Sequence, residues 1–260
     1  MPSAFTSKSI QATAMTQERG RFIGVGVGPG DPELLTLKAL RLIQHAQVVS
    51  YLANDEGQSQ AFNIAREAFD LVSIEQEYIE IQMPMSLDRR LANQAYDLGA
   101  KSIERVLSEG KDVIFLCEGD PLFFGSFAYL LERLNTHSEC LSVPGISSVH
   151  AASSTLVHPL TMLKESFTIV SGRHSQEQLT SVLAGHDTVV IMKAGKARSK
   201  ILTSLTESGR MKDAKYLEYI GRENQKLVTD VSLLKDETGP YFSLFLITRS
   251  EDERYKDSHS

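Results

Sequence analysis

Short apolar runs alternate along this chain with longer stretches in which apolar residues recur every three or four positions, from Arg21 to Thr248. The first kind reads as buried strands and the second as helices with one apolar face. Strands are predicted in the run that opens at Arg21, and at Val48–Tyr51, Asp112–Cys117, Leu141–Val143, Ser166–Ser171, Thr188–Met192, Lys215–Ile220 and Tyr241–Thr248. A helix is predicted to begin at Pro32 and to carry Leu35, Ala39, Leu42, Ile43 and Ala46. Others are expected at Ala61–Phe69, from Asp88 to Glu109, along Phe127, Leu130, Leu131 and Leu134, from Ile146 to Ala152, and at Gln176–Leu183 and Ser199–Glu207. Met83-Pro84-Met85 breaks the chain before the long helix, and Gly110 sits where a helix C-terminal glycine belongs. Gly239-Pro240 leads into the last strand, which predicts a hairpin or edge position rather than another parallel crossover.

Strand–helix alternation in both halves, with no internal repeat, predicts two α/β domains. The expected layout is a flexible arm at 1–20, an N-terminal domain at 21–145, a C-terminal domain at 146–250 and a polar tail at 251–260. A cleft between two such domains is a favoured small-molecule site.

Two turns carry candidate chemistry. Cys117-Glu118-Gly119-Asp120-Pro121 ends a buried strand abruptly, and Gly26-Val27-Gly28-Pro29-Gly30-Asp31-Pro32 does the same near the start. Rigid polar turns at the carboxyl ends of strands are where open α/β sheets bind ligands. The upstream turn does not fit the dinucleotide pattern G-x-G-x-x-G. Counted from Gly24 the third glycine falls on Pro29, and counted from Gly26 it falls on Asp31. Pro29 and Pro32 lack N–H donors and Asp31 adds negative charge, so the loop is poor for phosphate and acceptable for a ligand without one. Asp31 is expected to cap the helix that Pro32 opens.

Bulk properties narrow the class. A net charge of −6 argues against nucleic acid as the partner. Two cysteines, Cys117 and Cys140, lack zinc-site spacing, and seven histidines form no H-E-x-x-H pattern, so no metal is expected. Cys117 reads as a small core residue. No apolar run approaches the ~20 residues that span a bilayer. Residues 1–20 lack the apolar core of a signal peptide, which predicts a cytoplasmic setting and no membrane.

The motifs resemble those of a known family. Gly26-Val27-Gly28-Pro29-Gly30-Asp31-Pro32-Glu33-Leu34-Leu35-Thr36 is similar to the opening motif of the tetrapyrrole (class III) methyltransferases. Gly119-Asp120-Pro121 matches their second motif, Val143-Pro144-Gly145-Ile146-Ser147-Ser148 resembles the third, and Met192 within Ile191–Gly195 resembles a fourth. Order and spacing agree across residues 21–250. Cys117–Phe127, the Met83-Pro84-Met85 break and Pro240–Leu244 further resemble precorrin-2 C(20)-methyltransferases of cobalamin (vitamin B12) synthesis. Tyr51-Leu52-Ala53-Asn54 departs from the pattern, since the family more often has a proline soon after the tyrosine.

The resemblance implies the tetrapyrrole methylase fold, with S-adenosylmethionine in the cleft between two α/β domains. It implies that Pro29 lines the cleft, that Gly119, Asp120 and Phe123 contact the cofactor, that Ser147 and Ser148 face it from a helix start, and that Met192 and Gly221 meet its adenosine side. Turn or helix capping by Asp120, Ser147 and Ser148, and core filling by Met192, are the plainer roles for the same residues. The implied substrate is precorrin-2, methylated at carbon 20 to precorrin-3A, with cobalt-factor II or another precorrin as alternatives. A nucleotide-cofactor oxidoreductase and a non-catalytic cofactor-binding module are the readings from other classes. No residue identifies itself as the proton acceptor. Basic residues near loops that stand to meet substrate carboxylates are Arg89, Arg90, Lys164, Arg173, Lys193 and Arg222. The family also implies a homodimer.

Overall fold

A computed structural model describes residues 18–249 apart from 73, 85 and 87. Most of the expected N-terminal arm, Met85 of the expected break, and the polar tail lie outside the described residues.

The first half is one parallel sheet. Its strands are β1 (Phe22–Gly26), β2 (Val48–Ala53), β3 (Glu77–Gln82), β4 (Val113–Cys117) and β5 (Cys140–Val143), in the order β3-β2-β4-β1-β5. Every pairing is parallel. Buried on both faces, β1 and β4 are continuously apolar, as central parallel strands must be. On one face Ile23, Val25, Ile114 and Leu116 pack against α1 (Leu37–His45), α2 (Gln60–Ile64) and α3 (Arg66–Phe69). On the other, Phe22, Val113 and Phe115 pack against α4 (Arg89–Ser108) and α5 (Phe127–Leu134). Successive crossovers therefore leave β1 and β4 in opposite directions, which opens a crevice at their carboxyl ends.

The second half follows α6 (Ser148–Leu156). Strands β6 (Phe167–Ser171), β7 (Thr188–Met192), β8 (Ala214–Glu218), β9 (Lys226–Val228) and β10 (Ser243–Ile247) order as β6-β7-β10-β8-β9. One face is covered by α7 (Gln176–Gly185) and α8 (Arg198–Glu207). The other packs on α6, through Val149, Ala151 and Ala152, and on Phe123 from the first half.

Several expectations need correction. The last strand is antiparallel, yet it is central rather than at an edge, flanked by β7 and β8. Gly239-Pro240 fixes how the chain enters the strand and says nothing of its neighbours. The fully buried Ser-Leu-Phe-Leu-Ile run is what a central position requires. A helical turn does open at Pro32, but it does not continue as the expected α-helix. Asp31 caps a single 3₁₀ turn over Pro32–Leu34, and α1 starts afresh after Thr36, whose hydroxyl accepts from Ala39 N–H. The segment Ala61–Phe69 is two short helices separated at Ala65. Edge strands β3 and β9 were absent from the sequence reading because only β3's Ile79 and Ile81 reach the core, and β9 is three residues long. The long helix matches closely: Asp88 caps it and Glu109 closes it.

Candidate active site

Three turns meet at the crevice above β1, β4 and β5. Gly28 and Gly119 form an antiparallel bridge, with Gly119 N–H donating to Gly28 O at 2.8 Å. Both have positive φ, 84° and 64°, which glycine adopts without penalty. Gly26 and Gly145 pack backbone on backbone: a Cβ on Gly26 would lie 2.6 Å from Gly119 O and from Gly145 N. Asp120 ties the turns together. Its Oδ1 accepts from Leu122 N–H at 2.9 Å and its Oδ2 from Gly145 N–H at 3.2 Å. The plainer turn-clamping role foreseen for Asp120 is therefore occupied.

The second half closes on these turns from above. A Cβ on Gly30 would lie 2.5 Å from Ile220 O, and one on Gly221 would lie 2.9 Å from Asp31 N. Arg222 Nη1 donates to Gln60 Oε1 at 3.0 Å and its guanidinium lies 4.1 Å from the Phe242 ring centroid. Phe123 and Met192 share one apolar cluster with Val149, Leu217 and Ile220. Ser147 caps α6 and its Oγ lies 2.8 Å from His150 Nδ1; Ser148 is the first residue of that helix. Pro29 is buried beside Gly28. Of the eight expected cofactor residues, Pro29, Gly119, Asp120, Ser147 and Ser148 lie on the segments that follow β1, β4 and β5, Gly221 meets Asp31, and Phe123 and Met192 share the apolar cluster.

Three residues that are not glycine stand in the left-handed region at its rim: Phe124 (φ 54°), Lys193 (φ 55°) and Tyr219 (φ 50°). Lys193 and Tyr219 directly follow β7 and β8, and Phe124 lies beyond the Gly-Asp-Pro turn that follows β4. Strain of ~1–3 kcal/mol per residue is typical of positions that the surrounding fold over-determines. Lys193 Nζ donates to Phe124 O at 3.1 Å, so two of these positions brace each other across the halves.

Beside this seam an open groove of about 640 Å³ is lined by Leu122, Phe124, Tyr129, Arg173, His174 and Lys193, among others. Of the six basic candidates, only Arg173 and Lys193 line it. Arg90 pairs with Asp88, Arg89 lies 5.8 Å from the Tyr129 ring centroid, and Arg222 is packed in the seam. Lys164 is exposed on the loop before β6. Burial pushes the Lys193 ammonium down and Arg173 adds to this, against the smaller opposing effect of Glu118. Among the described residues no cluster of His, Cys, Asp and Glu is arranged to hold a metal, and no helix is long and apolar enough to cross a membrane.

Glu118 is a further residue at this turn, outside the cofactor positions named above. It directly precedes Gly119 and is partly buried, and burial pushes its carboxyl up to about 7 against the opposing pull of Arg222 and Lys193. A charged residue next to the Gly-Asp-Pro turn was the available signal.

Residues 21–234 match the Tetrapyrrole (Corrin/Porphyrin) Methylases. The chain belongs to this family. It is 34% identical over 238 residues to a precorrin-2 C(20)-methyltransferase from Sinorhizobium sp, covering 90% of this chain and 97% of that one. It is also 34% identical to the cobalamin biosynthesis protein CobIJ of Mycobacterium bovis, of which it spans about half, 46%. Among solved structures, a uroporphyrin-III C-methyl transferase from Thermus thermophilus complexed with S-adenyl homocysteine superposes with a TM-score of 0.60 at 26% identity, covering 91% of this chain and 100% of that one. Family membership leaves the oxidoreductase reading of the glycine loop without support.

Proposed function

We propose that this protein transfers the methyl group of S-adenosylmethionine to carbon 20 of precorrin-2, giving precorrin-3A in cobalamin biosynthesis. The observation that carries the reading is the set of glycine turns at the carboxyl ends of β1, β4 and β5, which form no phosphate cradle. Pro29 and Pro32 offer no N–H, and the Asp31 and Asp120 carboxylates occupy the N–H groups of Glu33, Leu122 and Gly145. Such a site repels phosphate and fits a cofactor that has none. Similarity to the Sinorhizobium enzyme along nearly the whole of both chains supports the substrate.

When bound, S-adenosylmethionine would supply an activated methyl on a sulfonium: its S–CH3 bond would break as the bond to carbon 20 forms, leaving a neutral thioether, and the proton displaced from carbon 20 would pass to solvent. The residues of the chain bind, orient and exclude water. In this reading Gly119, Asp120, Ser147 and Ser148 hold the amino-acid end, Phe123, Met192 and Gly221 wall the adenosine, and Pro29 lines the floor. The groove beside them takes the macrocycle, with Phe124 and Tyr129 against its plane and Arg173 and Lys193 toward its carboxylates. The domain division at 145/146, a cytoplasmic location and a homodimer belong to the same reading; light scattering of the purified protein tests the last.

The deciding experiment is anaerobic incubation with S-adenosylmethionine and precorrin-2 made in situ, with cobalt-factor II in parallel, read by mass spectrometry. One methyl gained and mapped to carbon 20 is the expected result. Retention of the cofactor without methyl gain on either substrate sinks the substrate assignment. Arg173→Ala is expected to raise the KM for the tetrapyrrole about tenfold with kcat little changed, an effect that shrinks at high salt. An unchanged KM places the carboxylates elsewhere.

A further inference from the structure

Three acidic residues stand at the glycine turns, and two have their oxygens engaged. Asp31 accepts from Glu33 N–H at 2.9 Å, and Asp120 accepts from Leu122 and Gly145. Glu118 makes no hydrogen bond or ion pair among the described residues, although it lies partly buried at the end of β4. Its surroundings come from four elements. Lys193 follows β7, Arg222 follows β8, Tyr241 precedes β10, and Cys117 adjoins it on β4. Arg173, beyond β6, acts on Lys193 and Tyr241. Of the cations that face Glu118, Lys193 donates to Phe124 O, and Arg222 donates to Gln60 and packs on the Phe242 ring while its Nε has no hydrogen-bond partner. Burial outweighs their pull. A partly buried carboxylate with no hydrogen-bond partner is costly unless a bound group adds to the positive charge around it.

We propose that the Glu118 carboxylate is the counter-charge to the sulfonium of S-adenosylmethionine, so that the site holds the methyl donor more tightly than its demethylated product. The inference rests on the cofactor reading above. Methyl transfer leaves a neutral thioether, so the attraction vanishes at turnover and favours release of S-adenosylhomocysteine. Both forms carry the same ammonium and carboxylate, and their affinity ratio isolates the sulfonium.

The test is calorimetric titration of the full chain with S-adenosylmethionine and with S-adenosylhomocysteine, without any tetrapyrrole. As Glu118 ionises, the wild-type preference for the methyl donor should rise about fivefold between about pH 6 and about pH 8. Burial keeps Tyr241 and Cys117 neutral there by pushing both up. Glu118→Gln should lower the preference about tenfold at the higher pH and abolish its pH dependence, while Glu118→Asp retains the dependence. Glu118→Gln should also raise the Tm of the cofactor-free protein at about pH 8, because a carboxyl raised in the folded state to about 7 costs stability as pH climbs from its ordinary value toward about 7, and the full cost is present above that. A wild-type ratio that does not change with pH overturns the proposal even if the variants fail to fold. Failure of wild type to bind either compound overturns the cofactor reading, and this proposal with it.

Discussion

Gly145→Ala is expected to weaken cofactor binding by at least about a hundredfold and to destabilise the protein by about 3 kcal/mol, near the top of the range for overpacking. A Cβ at this position collides with the carbonyl oxygen of Gly119 and lies 2.9 Å from both C and Cα of Gly26. All three obstacles are backbone, which cannot swing aside as a side-chain tip can. Relief requires the turns above β1, β4 and β5 to part. That breaks the Gly145 N–H bond to Asp120 and the Gly28–Gly119 bridge, which together define the crevice. Gly185→Ala is the matched control. It is the last residue of α7, where a Cβ meets nothing within 4 Å, and alanine there should be neutral or stabilising by up to about 1 kcal/mol. Urea denaturation of both variants, with titration by S-adenosylhomocysteine, checks the pair. Wild-type affinity in Gly145→Ala would mean that the crevice is not the cofactor site.

Arg198→Met should cost about 3–5 kcal/mol, the usual penalty for orphaning one partner of a buried ion pair. The Arg198 guanidinium lies 2.9 Å from Glu218 Oε1 and 2.7 Å from Tyr216 Oη, with its centre 4.8 Å from the Tyr216 ring centroid. Their side chains are only 6% and 10% exposed, so water cannot replace the lost partner. The double variant Arg198→Met/Glu218→Gln should recover at least about half of the loss, since it removes the stranded charge as well. A double variant no more stable than the single one would place the loss in packing rather than charge. Gly239 lies against Arg198 and Tyr216, and its N–H donates to Gly195 O at 2.9 Å, so the Arg198 guanidinium also packs on the approach to β10.

The legibility of the chain varied by element for physical reasons. Helix α4 was read almost to the residue, because Asp88, a long apolar stripe and Gly110 all point the same way. The break between the 3₁₀ turn and α1 was hidden, since Leu35 fits the helical spacing of Ala39 and Ile43 and only the capping hydroxyl of Thr36 separates them. Strand β3 was hidden by its glutamates, which an edge strand tolerates on its exposed side.

By itself the sequence determined that the chain alternates strands and helices in two halves, that its glycine turns do not suit phosphate, and which family the motifs resemble. These follow from local chemistry: periodicity, missing N–H groups and turn residues act over a few positions and can be read where they stand. Only the tertiary structure decided that β10 is central, that Phe123 and Met192 join one apolar cluster, that Arg173 and Lys193 share a groove, and that Glu118 makes no hydrogen bond or ion pair among the described residues. Each of these depends on which distant residues become neighbours. Burial, charge compensation and backbone-to-backbone approach are properties of those neighbours, and no window of sequence contains them.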